Sequence, residues 1–390
     1  MLNQFFNKKV FVAGFAMFAM FFGSGNLVFP LLIGTEALDG VSFAMIGLLV
    51  TAVFVPFLGL FGMILYDGDR EDYFSCLGKW PAFVLTLVML SLMGPFGVAA
   101  RCIIVAYGPV NLLYPELSFL PFSVAFSALT GLIVWKRRHI VGIIGSFLTP
   151  ILLVGIVALI VIGLWGANGV EMSDIENFEA FKLGLFKGYQ TMDLLAAFFF
   201  SSTAIHYLQA QMKDSSVSSI ERYGLGASFI GAGLLALIYI GFIFLGAEYA
   251  PQLEGVSPDK LLMVVASINI GKLAIPLVSI VFVMACLTTA AILVSLFAEF
   301  LSESVSRGKI TRHPAALITL LITFSMSMLG FSGITVWLGA LMEIVYPALI
   351  ALALGNIWKK MTGYDVSRLA FICVLTVAVA WEGYKLLGHA

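Results

Sequence analysis

Long apolar runs, separated by short segments that carry most of the charge, dominate this chain. Crossing hydrocarbon as a helix takes about 20 residues, and runs of that order lie at about 10–33, 41–66, 82–110, 120–135, 141–165, 189–210, 223–247, 272–301, 314–331, 333–357 and 367–387. The pattern predicts an all-α, polytopic membrane protein with about eleven transmembrane helices. The run at 120–135 is short, but Trp135 followed by Lys136-Arg137-Arg138 reads as an interfacial stop.

The first run is interrupted in its middle by Gly23-Ser24-Gly25-Asn26, with Phe29-Pro30 following. Lipid cannot hydrate free backbone groups, so a break at that depth is expected only where protein or a polar cavity surrounds it. Such breaks line ion and substrate sites in transporters. Helix packing through small residues is the alternative use of these glycines. A dinucleotide fingerprint is excluded, because no strand precedes the GxG and no third glycine follows at the required spacing. In the sixth run, Ser201-Ser202-Thr203 after Phe198-Phe199-Phe200 predicts a second interruption. Five helices separate the two breaks, so the halves take opposite orientations in the membrane. Thr149-Pro150 and Tyr346-Pro347 match loosely in the fifth and tenth runs. The expected organisation is one transmembrane domain over 1–390, with repeats at 10–165 and 187–357 and a peripheral helix at 367–387.

Composition narrows the class. Hydrophobic residues make up 61% of 390 and charged residues 11%, and the mean hydropathy is +1.05, which excludes a water-soluble domain. The balance of 21 basic and 22 acidic residues argues against a nucleic-acid partner. The four cysteines show no CxxC or His/Cys cluster, so neither a disulfide frame nor a resident metal or cofactor is expected. Lys8-Lys9 could begin a signal peptide, but the run behind them is too long and lacks a small-residue cleavage site, and reads as a retained helix. Lys and Arg concentrate in alternate loops: Arg70, Lys79, 136–138, Lys213, Arg222, Arg307, Lys309, Arg312, Lys359, Lys360 and Arg368 fall on the side of the N-terminus. By the positive-inside rule the N-terminus is cytoplasmic. The stretches 167–187 and 247–271 then become external loops, the second with an apolar segment at 260–270 that suits a short surface or re-entrant helix.

A few polar groups inside the apolar runs are candidates for chemistry. Ala285, Thr288 and Thr289 share one helical face, so a carbonyl and two hydroxyls could meet a small cation such as sodium. The alternative is that both threonines bond their own i−4 carbonyls. An unpaired charge in hydrocarbon costs about 2.5–3.5 kcal/mol or more, which singles out Arg101, Asp193 and Glu343 as gating pairs or structural ion pairs. Glu299 reads as an interfacial residue. The acidic run Asp67, Asp69, Glu71 and Asp72 reads as a solvated loop, since a membrane prenyltransferase would need a second aspartate cluster. A membrane-embedded enzyme is the rival class; the thin scatter of ionisable residues speaks against it.

Taken together, 21–30 (FFGSGNLVFP), Gly94-Pro95-Phe96 through Arg101, Gly188-Tyr189-Gln190-Thr191-Met192-Asp193, and Ala285-Cys286-Leu287-Thr288-Thr289-Ala290 with Ala298-Glu299-Phe300 resemble the branched-chain amino acid:cation symporter family. The resemblance implies a LeuT-type 5+5 inverted repeat in a bacterial-type inner membrane, importing leucine, isoleucine and valine with sodium. Proton-coupled transport of methionine or another neutral amino acid is the alternative. It further implies sodium ligands at the carbonyls of Ala19, Phe22 and Ala285 and the hydroxyls of Thr288 and Thr289. The substrate would lie at Gly23, Ser24, Gly25 and Asn26 and at Phe199, Phe200, Ser201, Ser202 and Thr203. The implied partners are the amino acid, the coupling ion and the bilayer; the oligomeric state is left open.

Overall fold

The computed structural model describes residues 8–135, 149–165, 169–170, 175–211, 217–270 and 275–388. Among them every regular element is helical. The first run folds as α1 (Lys8–Phe21) and α2 (Ser24–Ala37), interrupted at Phe22 and Gly23. The second is α3 (Val41–Leu49) and α4 (Val55–Leu65), joined through a π-helical turn at Val50–Phe54. After the short α5 (Arg70–Ser75), the third run is α6 (Lys79–Met93) and α7 (Val98–Leu113), broken at 94–97. The fourth and fifth are α8 (Phe119–Trp135) and α9 (Thr149–Trp165).

The sixth run is α11 (Asp193–Gln211), entered through a break at 190–192 from α10 (Asn177–Tyr189), and the seventh is α12 (Val217–Glu248). Two short helices follow, α13 (Ala250–Leu253) and α14 (Leu261–Ile270), the latter where a short surface or re-entrant helix was expected, with Leu261, Leu262 and Val265 buried. The last four are α15 (Ile275–Phe300), α16 (Arg312–Ser327), α17 (Gly330–Thr362) and α18 (Ser367–Gly388). Counting broken helices once, the described residues hold the expected runs in the expected order.

The sixth run departs from expectation. The helix continues through Ser201-Ser202-Thr203, and the interruption lies at 190–192, where Met192 takes the left-handed region at φ 61. The reason is local. The Ser201 hydroxyl donates to the carbonyl of Phe198 at 3.2 Å, so a small polar residue satisfies itself on its own helix without opening it. The side chains of Ser202 and Thr203 lie outside the described residues.

Part of the expected external loop at 167–187 is likewise helix. α10 carries Glu179, Lys182 and Lys187, which disguise it as a loop, but its glycine face lies on α3. A Cβ built on Gly184 would fall 1.9 Å from the carbonyl oxygen of Ala44, and one on Gly47 would fall 2.2 Å from that of Phe181. Only glycine lets the backbones approach so closely. A second seam joins α2 to α12, where a Cβ on Gly34 would come within 2.0 Å of the carbonyl of Ile243. The acidic run also folds. Asp69 caps α5 by accepting from the N–H groups of Glu71 and Asp72 at 2.8 and 3.2 Å, and Tyr73 and Phe74 are buried beneath it.

The π turn at Val50–Phe54 disturbs the helical ladder, and the Thr51 carbonyl accepts the Tyr346 hydroxyl at 2.7 Å. Tyr346 stacks on Tyr189 with centroids 4.5 Å apart. The α3–α4 turn, the end of α10 and the middle of α17 are thereby held together around the sixth-run break.

Candidate functional site

The two broken helices face each other. Gly23 is extended at φ −119 and ψ −167, and a Cβ built on Gly25 would lie 3.4 Å from the Cα of Thr191 in the sixth-run break. Asn26 ties the breaks together. Its Oδ1 accepts from the Gly23 N–H at 3.3 Å, and its Nδ2 donates to Oδ1 and Oδ2 of Asp193 at 3.1 and 3.2 Å. The same Nδ2 reaches the Tyr239 hydroxyl from α12, and that hydroxyl donates to Asp193 Oδ2 at 2.6 Å. Asn26, Asp193 and Tyr239 are 2%, 1% and 0% exposed. No cationic side chain pairs with Asp193 among the described residues. Pro30 brings no N–H to the helical ladder, which deprives the Asn26 carbonyl of its usual donor.

Arg101 on α7 approaches the opposite end of the sixth-run break. It is fully buried, and its Nη1 donates to the carbonyl of Gln190 at 2.8 Å. The guanidinium lies 5.0 Å from the ring centroid of Phe29 and 5.6 Å from that of Phe331, within cation–π range. Arg101 and Asp193 do not pair with each other. Glu343 is elsewhere: it accepts from Lys385 on α18 at 2.9 Å, and the same ammonium reaches Glu382 at 2.6 Å. Of the three charges singled out in the sequence, the fold gathers two at the break.

On α15, Thr288 and Thr289 both donate to the carbonyl of Ala285, at 2.8 and 3.0 Å. Thr289 also stands against the first-run break, its Cγ2 3.5 Å from a Cβ built on Gly23. Ala19 precedes that break on α1, and Phe22 lies buried in it, stacked on Phe18 with centroids 5.1 Å apart. The five residues implied as sodium ligands thus come from the two elements that meet at Gly23.

The aromatic residues of α11 lie away from the break. Phe200 follows Asp193 by seven residues, about 10 Å along a helix. Phe198 packs on Tyr73 and Phe74, and Arg70 sits 5.5 Å over the ring of Phe199. Phe200 lines a cavity of about 1040 Å³ that also touches Arg70, Lys79, Leu90, Ala291, Ser295 and Glu299. It lies at the α5 end of the bundle and reaches Ala291, two residues from Thr289. The first break thus falls beside the expected Gly23–Asn26 segment, and the second lies at 190–192, about two to three turns before the expected Ser201–Thr203. Two residues at this junction carried no role in the sequence: Tyr239, within the apolar run 223–247, and Thr191, inside a quoted motif.

A family model described as branched-chain amino acid transport protein matches residues 6–388. The chain is 29% identical over 351 residues to the branched-chain amino acid permease BrnQ of Corynebacterium glutamicum, covering 88% of this chain and 80% of that one. Among solved structures it resembles Mhp1, a nucleobase-cation-symport-1 family transporter, with a TM-score of 0.63 at 13% identity over 96% and 93% of the two chains. It also resembles MhsT in complex with L-phenylalanine, with a TM-score of 0.60 at 17% identity over 96% and 97%. These likenesses show a LeuT-type fold. The chain is a multi-pass membrane transporter rather than an enzyme, and it belongs to the branched-chain amino acid transport protein family.

Proposed function

We propose that this chain is a secondary active symporter that imports leucine, isoleucine and valine, coupled to sodium, by alternating access around the breaks in the first and sixth runs. One observation carries the reading. The first turn of α2 and the sixth-run break come face to face at Gly25 and Thr191, and the buried polar cluster of Asn26, Asp193 and Tyr239 joins them. A rigid scaffold would have little use for three polar side chains there. A substrate site between two half-helices does, because the buried amides at the start of α2 meet an anionic group and the freed carbonyls meet a cationic one.

The sodium would sit between α1 and α15, held by the carbonyls of Ala19, Phe22 and Ala285 and the hydroxyls of Thr288 and Thr289. The approach of Thr289 to Gly23 supports this, and all five donors are hard oxygens suited to a small cation. Coupling follows from differential binding: an ion that draws α1 and α15 together favours the arrangement that also closes on substrate. The cavity of about 1040 Å³ below Phe200 serves as the vestibule on the α5 side. The placement of Lys and Arg in the loops supports a cytoplasmic position for that side, with the chain in a bacterial-type inner membrane. A hydrophobic pocket distinguishes side chains by only about 1–3 kcal/mol per methylene, so selectivity among aliphatic amino acids is loose.

The test is uptake of labelled leucine, valine and methionine into proteoliposomes, first under a sodium gradient and then under a proton gradient. Sodium-driven, saturable uptake of the branched substrates is expected. Uptake under the proton gradient alone would transfer coupling to a proton, and no uptake under either gradient by folded protein would refute the symporter.

A further inference from the structure

A buried arginine with unfilled donors needs an explanation, because burial of an unsatisfied charged group is costly. Nη1 of Arg101 is used by the Gln190 carbonyl, while Nε and Nη2 have no hydrogen-bond partner. These two nitrogens lie on one edge of the guanidinium, and their N–H bonds run parallel. That edge is the fork that takes a carboxylate through both oxygens. At the other end of the same break, Asp193 is a buried carboxylate whose partners, Asn26 and Tyr239, are neutral.

The two groups are bound to one short link. Arg101 is fixed to Gln190 and Asp193 opens α11 three residues later, a stretch that spans at most about 11 Å. A positive fork and a negative group are therefore held close without neutralising one another. An amino acid carries complementary charges on a single carbon.

Resting on the proposed role in amino acid transport, we infer that Arg101 and Asp193 form a zwitterion clamp. The Nε–Nη2 edge of Arg101 binds the substrate α-carboxylate, and Asp193 binds the α-ammonium. The break at 190–192 sets the spacing between them, and the apolar side chain is left to the surrounding helices. Gly25 faces this link, and a Cβ built on it would lie 3.4 Å from the Cα of Thr191.

The experiment measures competition with labelled leucine on the purified full-length chain. The competitors are leucine, 3-methylbutylamine, which lacks the carboxylate, and 4-methylpentanoate, which lacks the amine. Hydrogen bonds to charged groups set the scale, so the wild-type chain should prefer leucine to either analogue by about tenfold or more. Arg101→Gln should lose leucine affinity by a similar factor and hold 3-methylbutylamine unchanged. Asp193→Asn should lose leucine and hold 4-methylpentanoate unchanged. Arg101→Lys keeps the charge and loses the fork, and carries the same expectation if Arg101→Gln does not fold. Equal loss of all three ligands would make Arg101 a packing or gating residue held by Phe29 and Phe331, and would overturn the clamp. Unchanged leucine binding in the folded variants, or a wild-type chain indifferent to the missing groups, would overturn it too. These outcomes leave the transport reading standing, whereas a wild-type chain that binds no leucine would overturn both.

Discussion

Asn26 and Asp193, 167 positions apart in sequence, are joined by hydrogen bonds from Nδ2 of the amide to both carboxylate oxygens at 3.1 and 3.2 Å. The amide also holds the Gly23 N–H, so one side chain both caps α2 and fastens it to α11. Replacing it by alanine leaves a buried carboxylate short of donors, a loss of about 1–3 kcal/mol. Asn26→Asp adds a like charge in the same place and is expected to be worse than Asn26→Ala. Thermal unfolding of the two purified variants beside the wild type checks the order. Equal stability of the three would detach Asn26 from Asp193.

The glycine seams and the glycine at the break should answer differently to substitution. Gly184→Leu puts a side chain where a Cβ alone meets the Ala44 carbonyl at 1.9 Å, so α10 must leave α3, and little folded protein is expected. A Cβ at Gly25 meets Thr191 at the ordinary contact distance of 3.4 Å. Gly25→Ala is expected to fold, and the longer Gly25→Leu to fill the gap between the breaks and abolish leucine binding. Size-exclusion profiles and leucine binding, measured on the same preparations, separate the two effects. Leucine bound normally by Gly25→Leu would remove the substrate from this gap.

The contrast shows what the chain discloses on its own. Apolar run length fixes the helices, because a membrane span has little tolerance in length or polarity. The first break was legible because two glycines, an asparagine and a proline crowd into ten residues of an apolar run. The sixth-run break was not, because it is built from Gln190, Thr191 and Met192, none a habitual helix breaker, and depends on Met192 accepting a positive φ. Ser201, which drew attention instead, is absorbed by the carbonyl of Phe198 on its own helix. α10 was hidden by its charges, since its burial rests on glycines that contribute nothing to hydropathy. Tyr239 was invisible for another reason: its partners come from α2 and α11, and only the folded bundle brings them together.

Away from the site, the link between α17 and α18 holds an ion pair whose effect should follow pH. Lys359 donates to Asp365 at 2.7 Å. That bond, with the backbone N–H of Ser367 contributing further, holds the Asp365 carboxyl below its ordinary value. A depressed carboxylate stabilises the fold above its unfolded pKa, near 3.9, and the stabilisation is lost as pH falls through the folded value. Lys359 is raised by the same partner, and its share is lost only as pH rises through its own folded value. The two side chains are 35% and 43% exposed, so screening limits the pair to about 1 kcal/mol or less. Asp365→Asn should lower the unfolding midpoint slightly at pH 7. The difference should vanish in strong salt and below the range where the carboxylate titrates; a gap that persists in acid would show that the effect does not come from the charge of the pair.

Thr289 offers the sharpest test of sodium coupling, because its structural duty is small. Its hydroxyl donates to the Ala285 carbonyl of its own helix, a bond that α15 does not need, so Thr289→Ala should fold and insert. If the hydroxyl also coordinates sodium beside Gly23, the variant should need about tenfold more sodium for half-maximal leucine uptake, the low end of the loss seen when groups around a metal are removed. Thr289→Ser, which restores the oxygen without the methyl, should recover most of the sodium affinity. Thr289→Val, which keeps the shape and lacks the oxygen, should behave like alanine. Uptake titrated against sodium at fixed leucine, in all three variants, reads the oxygen apart from the packing. A valine variant with wild-type sodium dependence would take Thr289 out of the ion site and leave it as a spacer against the first-run break.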